Sequence, residues 1–246
     1  MEVIAERKTK TVYKDNGRTI KLFIENYPKS NILNEALNQA RVEETGLNIP
    51  KLLEVTKKEN RWAIVSEHIE GKSLEELMRE NSDKKAEYMD MFIDIQLNIL
   101  SKTAPMLNKL KDKMKRKIAE TDLSDTIKYE LNTRLESMPR HNKICHGDFN
   151  PSNVIIKEDG TAYVIDWAHV TQGNSSADVA RTYLLFHLDG KKEDAEEYLN
   201  KFSEKSGIEK RYIQSWIPIV AAAHLSKASE EERKFLTNWI DVVDYV

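Results

Sequence analysis

The stretch from Lys143 to Val170 constrains this chain more than any other. It sets His146-Gly147-Asp148-Phe149-Asn150-Pro151-Ser152-Asn153 ahead of Tyr163-Val164-Ile165-Asp166-Trp167. Pro151 and its polar neighbours make the first segment a loop. The apolar run Ala162 to Ile165 reads as a short buried strand that ends at Asp166. An Asp and an Asn five positions apart on a loop, with another Asp delivered to a strand end by a hairpin, offer hard oxygen ligands of the kind Mg2+ takes. They also leave one carboxylate to accept a proton.

The Asp148-x-x-x-x-Asn153 spacing is that of a protein-kinase catalytic loop, but His146-Gly147 stands before it where His-Arg is usual, and Trp167-Ala168 follows Asp166 in place of Phe-Gly. With Ile165-Asp166-Trp167, the whole resembles the aminoglycoside phosphotransferase and choline kinase superfamily of small-molecule kinases. The resemblance runs from about Ile4 to the C-terminal helices. It implies an α+β, bilobal protein-kinase-like fold, with a small antiparallel β N-lobe over residues 1–68 and a larger, mainly helical C-lobe over 69–246. It also implies ATP, or GTP, with Mg2+. Asp148 is then the proton acceptor, Asn153 and Asp166 hold the metal, and His146 and Asp178 brace the loop.

Elsewhere the residues speak for themselves. Asn16-Gly17 tolerates the positive φ angles of a tight hairpin turn, so Thr9–Lys14 and Arg18–Ile24 are expected to pair. Alternation along the second strand puts Thr19, Lys21 and Phe23 on one face. The resemblance makes Lys21 the lysine that holds the nucleotide phosphates. Upstream, where such kinases carry glycines against the phosphates, Ala5 to Thr11 has none, so Thr9 and Lys10 are expected to supply side-chain contacts. Ile32, Leu33, Ala36, Leu37, Ala40 and Val42 recur at helical spacing after a Ser30 or Asn31 cap. Glu35 on that helix resembles the glutamate that fixes the strand lysine.

Strands are expected at Lys51–Thr56 and Trp62–Glu67, then a turn at Gly71, and Ser73-Leu74-Glu75-Glu76 is a capping box that opens a helix. The resemblance places an adenine-binding hinge there, through the Glu67 carbonyl and the Ile69 amide. From about Lys84 to Met138 the pattern is helical, broken near Pro105 and near Ser124. The basic run Lys109 to Lys117 carries the apolar stripe Leu107, Leu110, Met114 and Ile118, and reads as a solvated cationic helix face. Further helices are expected from Asp178, Lys192, Ile208 and Glu230 to the end of the chain.

Lys plus Arg number 38 against 41 Asp plus Glu, which is not the basic balance of a general nucleic-acid binder. The single cysteine, Cys145, excludes an intrachain disulfide and suits a reducing, cytoplasmic setting. The first residues lack signal-peptide character and no run suits a membrane span. A monomer or weak homodimer is expected. Gly147 replaces the Arg that reads a phosphorylated activation segment, and no A-P-E segment follows, so the expected acceptor is a small hydroxyl-bearing molecule and not a protein. Acceptor candidates are Trp167, His169, Trp216, Trp239, Asp241 and Asp244, which suit an amine-bearing molecule. The rival reading is a non-catalytic nucleotide-binding protein.

Overall fold

The computed structural model describes residues 1–240. The chain divides into two compact units, one made of Met1–Tyr88 with Pro151–His169 and the other of Met89–Asn150 with Val170–Val246.

The first unit starts with β1 (Glu2–Arg7), β2 (Lys10–Asp15) and β3 (Arg18–Phe23), then α1 (Lys29–Glu43), β4 (Leu52–Lys58) and β5 (Arg61–Glu67). These strands form one antiparallel sheet in the order β1-β2-β3-β5-β4. Asn16 and Gly17, at φ 47° and 73°, make the β2–β3 turn that their sequence anticipates. β1 is a strand where the sequence suggested a phosphate loop. Residues Ala5 to Arg7 pair with Lys10 to Val12, and only Lys8 and Thr9 turn the corner.

The sheet is sided as strand alternation requires. Ile20 and Leu22 pack with Ala63 and Val65, while Phe23 packs on the other face with Ile64 and with Ile32 and Ala36 of α1. Lys21 shares the α1 side with Phe23. The buried stripe of α1 is Ile32, Glu35, Ala36, Asn38, Gln39 and Val42, and Leu33 and Leu37 are exposed. Hydrogen bonds override hydropathy here. Glu35 meets Lys21, and Gln39 donates to the Pro50 carbonyl at 2.7 Å, so these two polar side chains can turn inward with partners. The helix begins at Lys29 behind Pro28, slightly before the expected cap.

β6 (Lys72–Ser73) leads into α2 (Leu74–Glu80), whose N-terminus is the anticipated capping box. Ser73 accepts from the Glu76 N–H, and the Glu76 carboxylate accepts from the Ser73 N–H. α3 (Lys85–Ser101) then opens the second unit, followed by α4 (Leu110–Ala119), α5 (Asp125–Ser137) and the short β7 (Lys143–Cys145). The first unit resumes with the hairpin β8 (Val154–Ile156) and β9 (Ala162–Val164), which joins β6 in a sheet ordered β6-β8-β9. The second unit resumes with β10 (Thr171–Gly173), paired to β7, and ends with α6 (Ser175–Leu188), α7 (Lys192–Ser206), α8 (Lys210–Gln214), α9 (Ile217–Leu225) and α10 (Glu230–Ile240). α9 packs against α4, α6 and α10 and is buried along nearly all its length, which explains its apolar composition on every side. Among the described residues, no helix is long and apolar enough to cross a membrane.

Gly71 is fixed by contact. A Cβ there would stand 2.3 Å from the backbone carbonyl oxygen of Ile156, and backbone cannot give way as a flexible side chain does. Gly71→Ala should therefore destabilise the β6–β8 junction by about 1–3 kcal/mol, as overpacking does. Urea unfolding would register this, and an unchanged midpoint would show that the junction relaxes freely.

Candidate active site

The first unit brings charges together around Lys21. Its Nζ donates to Glu35 Oε1 at 2.8 Å and to Asp166 Oδ1 at 2.9 Å. Lys10 Nζ lies 3.6 Å from the same two oxygens. Each element has a reason to deliver its residue. Lys10 and Lys21 come from neighbouring strands, Glu35 from the inward face of α1, and Asp166 from just beyond β9. Asp166 has φ 63°, a left-handed conformation that Asp tolerates better than most side chains, and it turns the chain into the 3-10 turn Trp167–His169.

Electrostatics follows from that packing. Burial opposes the charge on Lys21, but the Asp166 and Glu35 carboxylates outweigh it and hold the ammonium above its ordinary range. Burial likewise opposes the Asp166 charge, and Lys21 with Lys10 overcomes it, so the carboxyl is held well below its usual value. Both stay ionised at neutral pH.

These groups border a cavity of about 280 Å3 within the first unit. Lys10, Lys21 and Asp166 line it together with Glu67, Ile69 and Asn153. Asn153 is tied to the strand that delivers Asp166, since its carbonyl accepts the Ile165 N–H at 2.9 Å. Thr9 is not part of the lining; it sits at the β1–β2 turn and its carbonyl accepts the Ile24 N–H at 3.0 Å. His68, between Glu67 and Ile69, is anchored to the sheet through its N–H to the Gly17 carbonyl and its ring to the Thr19 hydroxyl at 2.8 Å.

The second unit holds Asp148 in a loop that is fixed from beneath. Asp178 Oδ1 accepts the Gly147 N–H at 2.7 Å, and Gly147 takes φ 80°, which glycine adopts without steric cost. Asp178 is buried, and burial raises its pKa even though His146, Gly147 and Gln96 favour its charged form. Gln96 also bonds Thr182 and receives the Tyr198 hydroxyl, and Thr182 donates to the Phe149 carbonyl at 2.9 Å. His146 is fully buried, its ring edge-on to Phe149, and its Nδ1 accepts the Asp148 N–H at 3.2 Å. Beside this loop, Arg181 Nη2 stands 3.6 Å from Asp148 Oδ1.

The acceptor candidates are dispersed. Trp167 is buried and donates its indole N–H to the Val164 carbonyl at 2.9 Å, and half-buried His169 closes the same turn in the first unit. In the second unit, Trp216 is fully buried at the back of a separate cavity of about 220 Å3 that Asp148 does not line. Trp239 joins an aromatic group with Tyr183, His187 and Phe235. Asp241 and Asp244 lie outside the described residues.

The basic run Lys109 to Lys117, expected as a solvated face, turns one lysine inward, and Arg181 went unnoticed in the sequence. Lys113 is half-buried on the inner edge of α4 and its ammonium is pushed down to about 7, chiefly by burial, with Lys227 and Arg181 adding repulsion. Its spacing from Leu110, Met114 and Ile118 places it beside the apolar stripe and not opposite it, which was the available signal. Arg181, a lone cation in the buried run Val179 to Leu184, was another.

The chain belongs to the phosphotransferase enzyme family, whose model matches residues 21–213. Its fold is the kinase-like fold of solved small-molecule phosphotransferases. An aminoglycoside phosphotransferase APH(4)-Ia, solved as a ternary complex with AMP-PNP and hygromycin B, matches with a TM-score of 0.72 at 14% identity, over 97% of this chain and 90% of that one. The choline kinase LicA from Streptococcus pneumoniae matches with a TM-score of 0.64 at 14% identity, over 98% and 92%. An aminoglycoside-3'-phosphotransferase of type VIII matches with a TM-score of 0.61 at 17% identity, over 92% and 90%. A search of curated proteins by sequence found no match.

Burial pushes the His224 imidazole down to about 3 from an ordinary 6.5, and Arg181 and Lys227 push the same way. Glu232 Oε1, 3.8 Å from Nε2, does not offset them, so the pair is not ionic at neutral pH. With the folded pKa below the unfolded one, the unfolded chain takes the proton first. The stability contribution is complete above about 6.5 and is lost as pH falls toward 3, at up to about 1.4 kcal/mol per pH unit. His224→Gln should flatten that decline. Urea titrations at pH 7.5, 5.5 and 4.5 on both proteins would show it, whereas parallel declines would mean that His224 titrates normally in the fold.

Proposed function

We propose that this chain is a Mg-ATP-dependent kinase that phosphorylates a hydroxyl of a small molecule, with GTP as the alternative nucleotide. The observation that carries this reading is the Lys21 cluster with Glu35, Asp166 and Lys10 at a cavity that Asn153, Glu67 and Ile69 also line. The nucleotide-bound and acceptor-bound complex of the similar aminoglycoside enzyme supports it.

In this reading the Glu67 carbonyl and Ile69 amide bind the base, while Lys21, kept in place by Glu35, meets the phosphates with Lys10 beside it. Thr9, at the turn, contributes backbone shape. Asn153 and Asp166 supply an amide and a carboxylate oxygen, a hard donor set that fits Mg2+ carried in with phosphates. Bound there, the ion neutralises phosphate charge. No group of three His, Cys, Asp or Glu converges among the described residues, and a metal shared with phosphates does not require one.

Asp148 takes the proton of the acceptor hydroxyl. The acceptor oxygen bonds to the γ-phosphorus, the bond from that phosphorus to the β–γ bridging oxygen breaks, and its electron pair leaves with the diphosphate. Asp178 and His146 hold the Asp148 loop so that the carboxylate needs no reorganisation. A non-catalytic nucleotide-binding role is the second reading, favoured by the tight β1–β2 hairpin that replaces a glycine-rich phosphate loop.

Asp148→Asn should bind AMP-PNP with Mg2+ like the parent yet lower acceptor-dependent turnover by about a hundred- to ten-thousand-fold. Turnover within tenfold of the parent would remove Asp148 from the chemistry, and no turnover by the parent across hydroxylated metabolites and aminoglycosides would favour the second reading. Asp166→Ala should weaken nucleotide binding chiefly when Mg2+ is present, because a metal-bridged contact is lost. Equal weakening with and without Mg2+ would mark Asp166 as structural.

A further inference from the structure

Beside Asp148, the second unit gathers a group of basic side chains. α4, α6 and α10 each pack on α9, and this convergence brings Lys113 from α4, Arg181 from α6, His224 from α9 and Lys227 from just beyond it into one electrostatic group. Among the described residues, the carboxylates facing them are Asp148, Glu232 and Asp178. Asp178 is already committed to Gly147 and Gln96. Once Asp148 turns to a hydroxyl proton, Arg181 loses its ion-pair partner.

Hydrogen bonding makes the point independently of charge. Arg181 Nη1 and both ring nitrogens of His224 have no hydrogen-bond partner among the described residues, and each of these residues is only 9% exposed. A buried donor left unmet costs about 1–3 kcal/mol, so a set of such donors beside a reactive carboxylate calls for a ligand that satisfies them. A guanidinium fork meets two oxygens of one planar or tetrahedral anion. A neutral imidazole adds one N–H donor, and Lys113 and Lys227 complete a positive rim.

We propose that Arg181, His224, Lys113 and Lys227 bind an anionic group of the acceptor, a carboxylate or a phosphate monoester. This rests on the reading of Asp148 as the group that receives the acceptor's proton. Because Arg181 Nη2 is 3.6 Å from Asp148 Oδ1, the anionic group and the phosphorylated hydroxyl are near neighbours on the acceptor. A hydroxy acid or a hydroxyl-bearing phosphate ester fits.

The test is titration calorimetry on the full chain with glycerate, glycerol 3-phosphate, glycerol and ethanolamine, with AMP-PNP and Mg2+ measured separately. The expected result is that glycerate or glycerol 3-phosphate binds at least tenfold more tightly than glycerol and ethanolamine. Whichever of the two anions binds more tightly distinguishes carboxylate from phosphate. Arg181→Gln should weaken that anion at least tenfold and Lys227→Ala severalfold, with AMP-PNP affinity unchanged. Lys227 is exposed, so its variant keeps the test valid if Arg181→Gln fails to fold. The proposal is overturned if neither anion binds, if glycerol or ethanolamine binds as well, or if neither folded variant weakens the anion. Failure of AMP-PNP to bind the parent chain would instead overturn the kinase reading, and is read independently.

Discussion

The first unit depends on one contact between distant parts of the sequence. Lys21 and Asp166 are 145 residues apart, yet they meet at 2.9 Å with Glu35 on the other side of the same ammonium. A lysine placed this deep is costly unless it is paired, and breaking a buried pair costs about 3–5 kcal/mol because the remaining charge has lost its solvent. The partial exposure of the Asp166 side chain, 32%, reduces that figure and leaves the carboxylate open to the cavity. Stability and readiness for a ligand therefore come from the same arrangement. Lys10 extends it, since a second cation beside two carboxylates balances the cluster before any phosphate arrives.

The second unit solves a different problem, which is to hold a polar loop without a strand or helix to carry it. Asp148 and its neighbours are pinned by Asp178, Gln96, Thr182 and Tyr198, a buried network in which each named group has partners. Phe149 packs on Phe92 with ring centroids 4.4 Å apart, so the loop also has an apolar anchor. Such a network is strongest when complete, because the low local dielectric that strengthens each bond also penalises any gap. Arg181 and His224, by contrast, lie at its edge, where Arg181 Nη1 and the His224 ring nitrogens have no hydrogen-bond partner among the described residues. The difference separates groups that build the loop from buried groups beside it that do not.

Much of the fold was legible from local chemistry. Asn16-Gly17, the Ser73–Glu76 capping box and the β-strand alternation that aims Lys21 toward α1 are each decided within a few residues. The N-terminal hairpin was not, because Ala5 to Thr11 carries no turn dipeptide and its pairing with β2 depends on the sheet as a whole. Leu33 and Leu37 misled for a related reason: hydropathy favoured their burial, but the buried face of α1 was settled by partners for Glu35 and Gln39 that lie on other elements.

By itself the sequence determined the family signature, the hairpin that carries Asp166, and the type of oxygen and nitrogen groups available for chemistry, since these follow from residue identity and short spacing. Tertiary structure alone decided that Lys10 joins the Lys21 cluster, that Trp167 is buried, and that Lys113, Arg181, His224 and Lys227 face one another. Their meeting depends on how α4, α6 and α10 pack on α9. Packing of that kind is a property of interlocking side chains from separate helices, and no single segment encodes it.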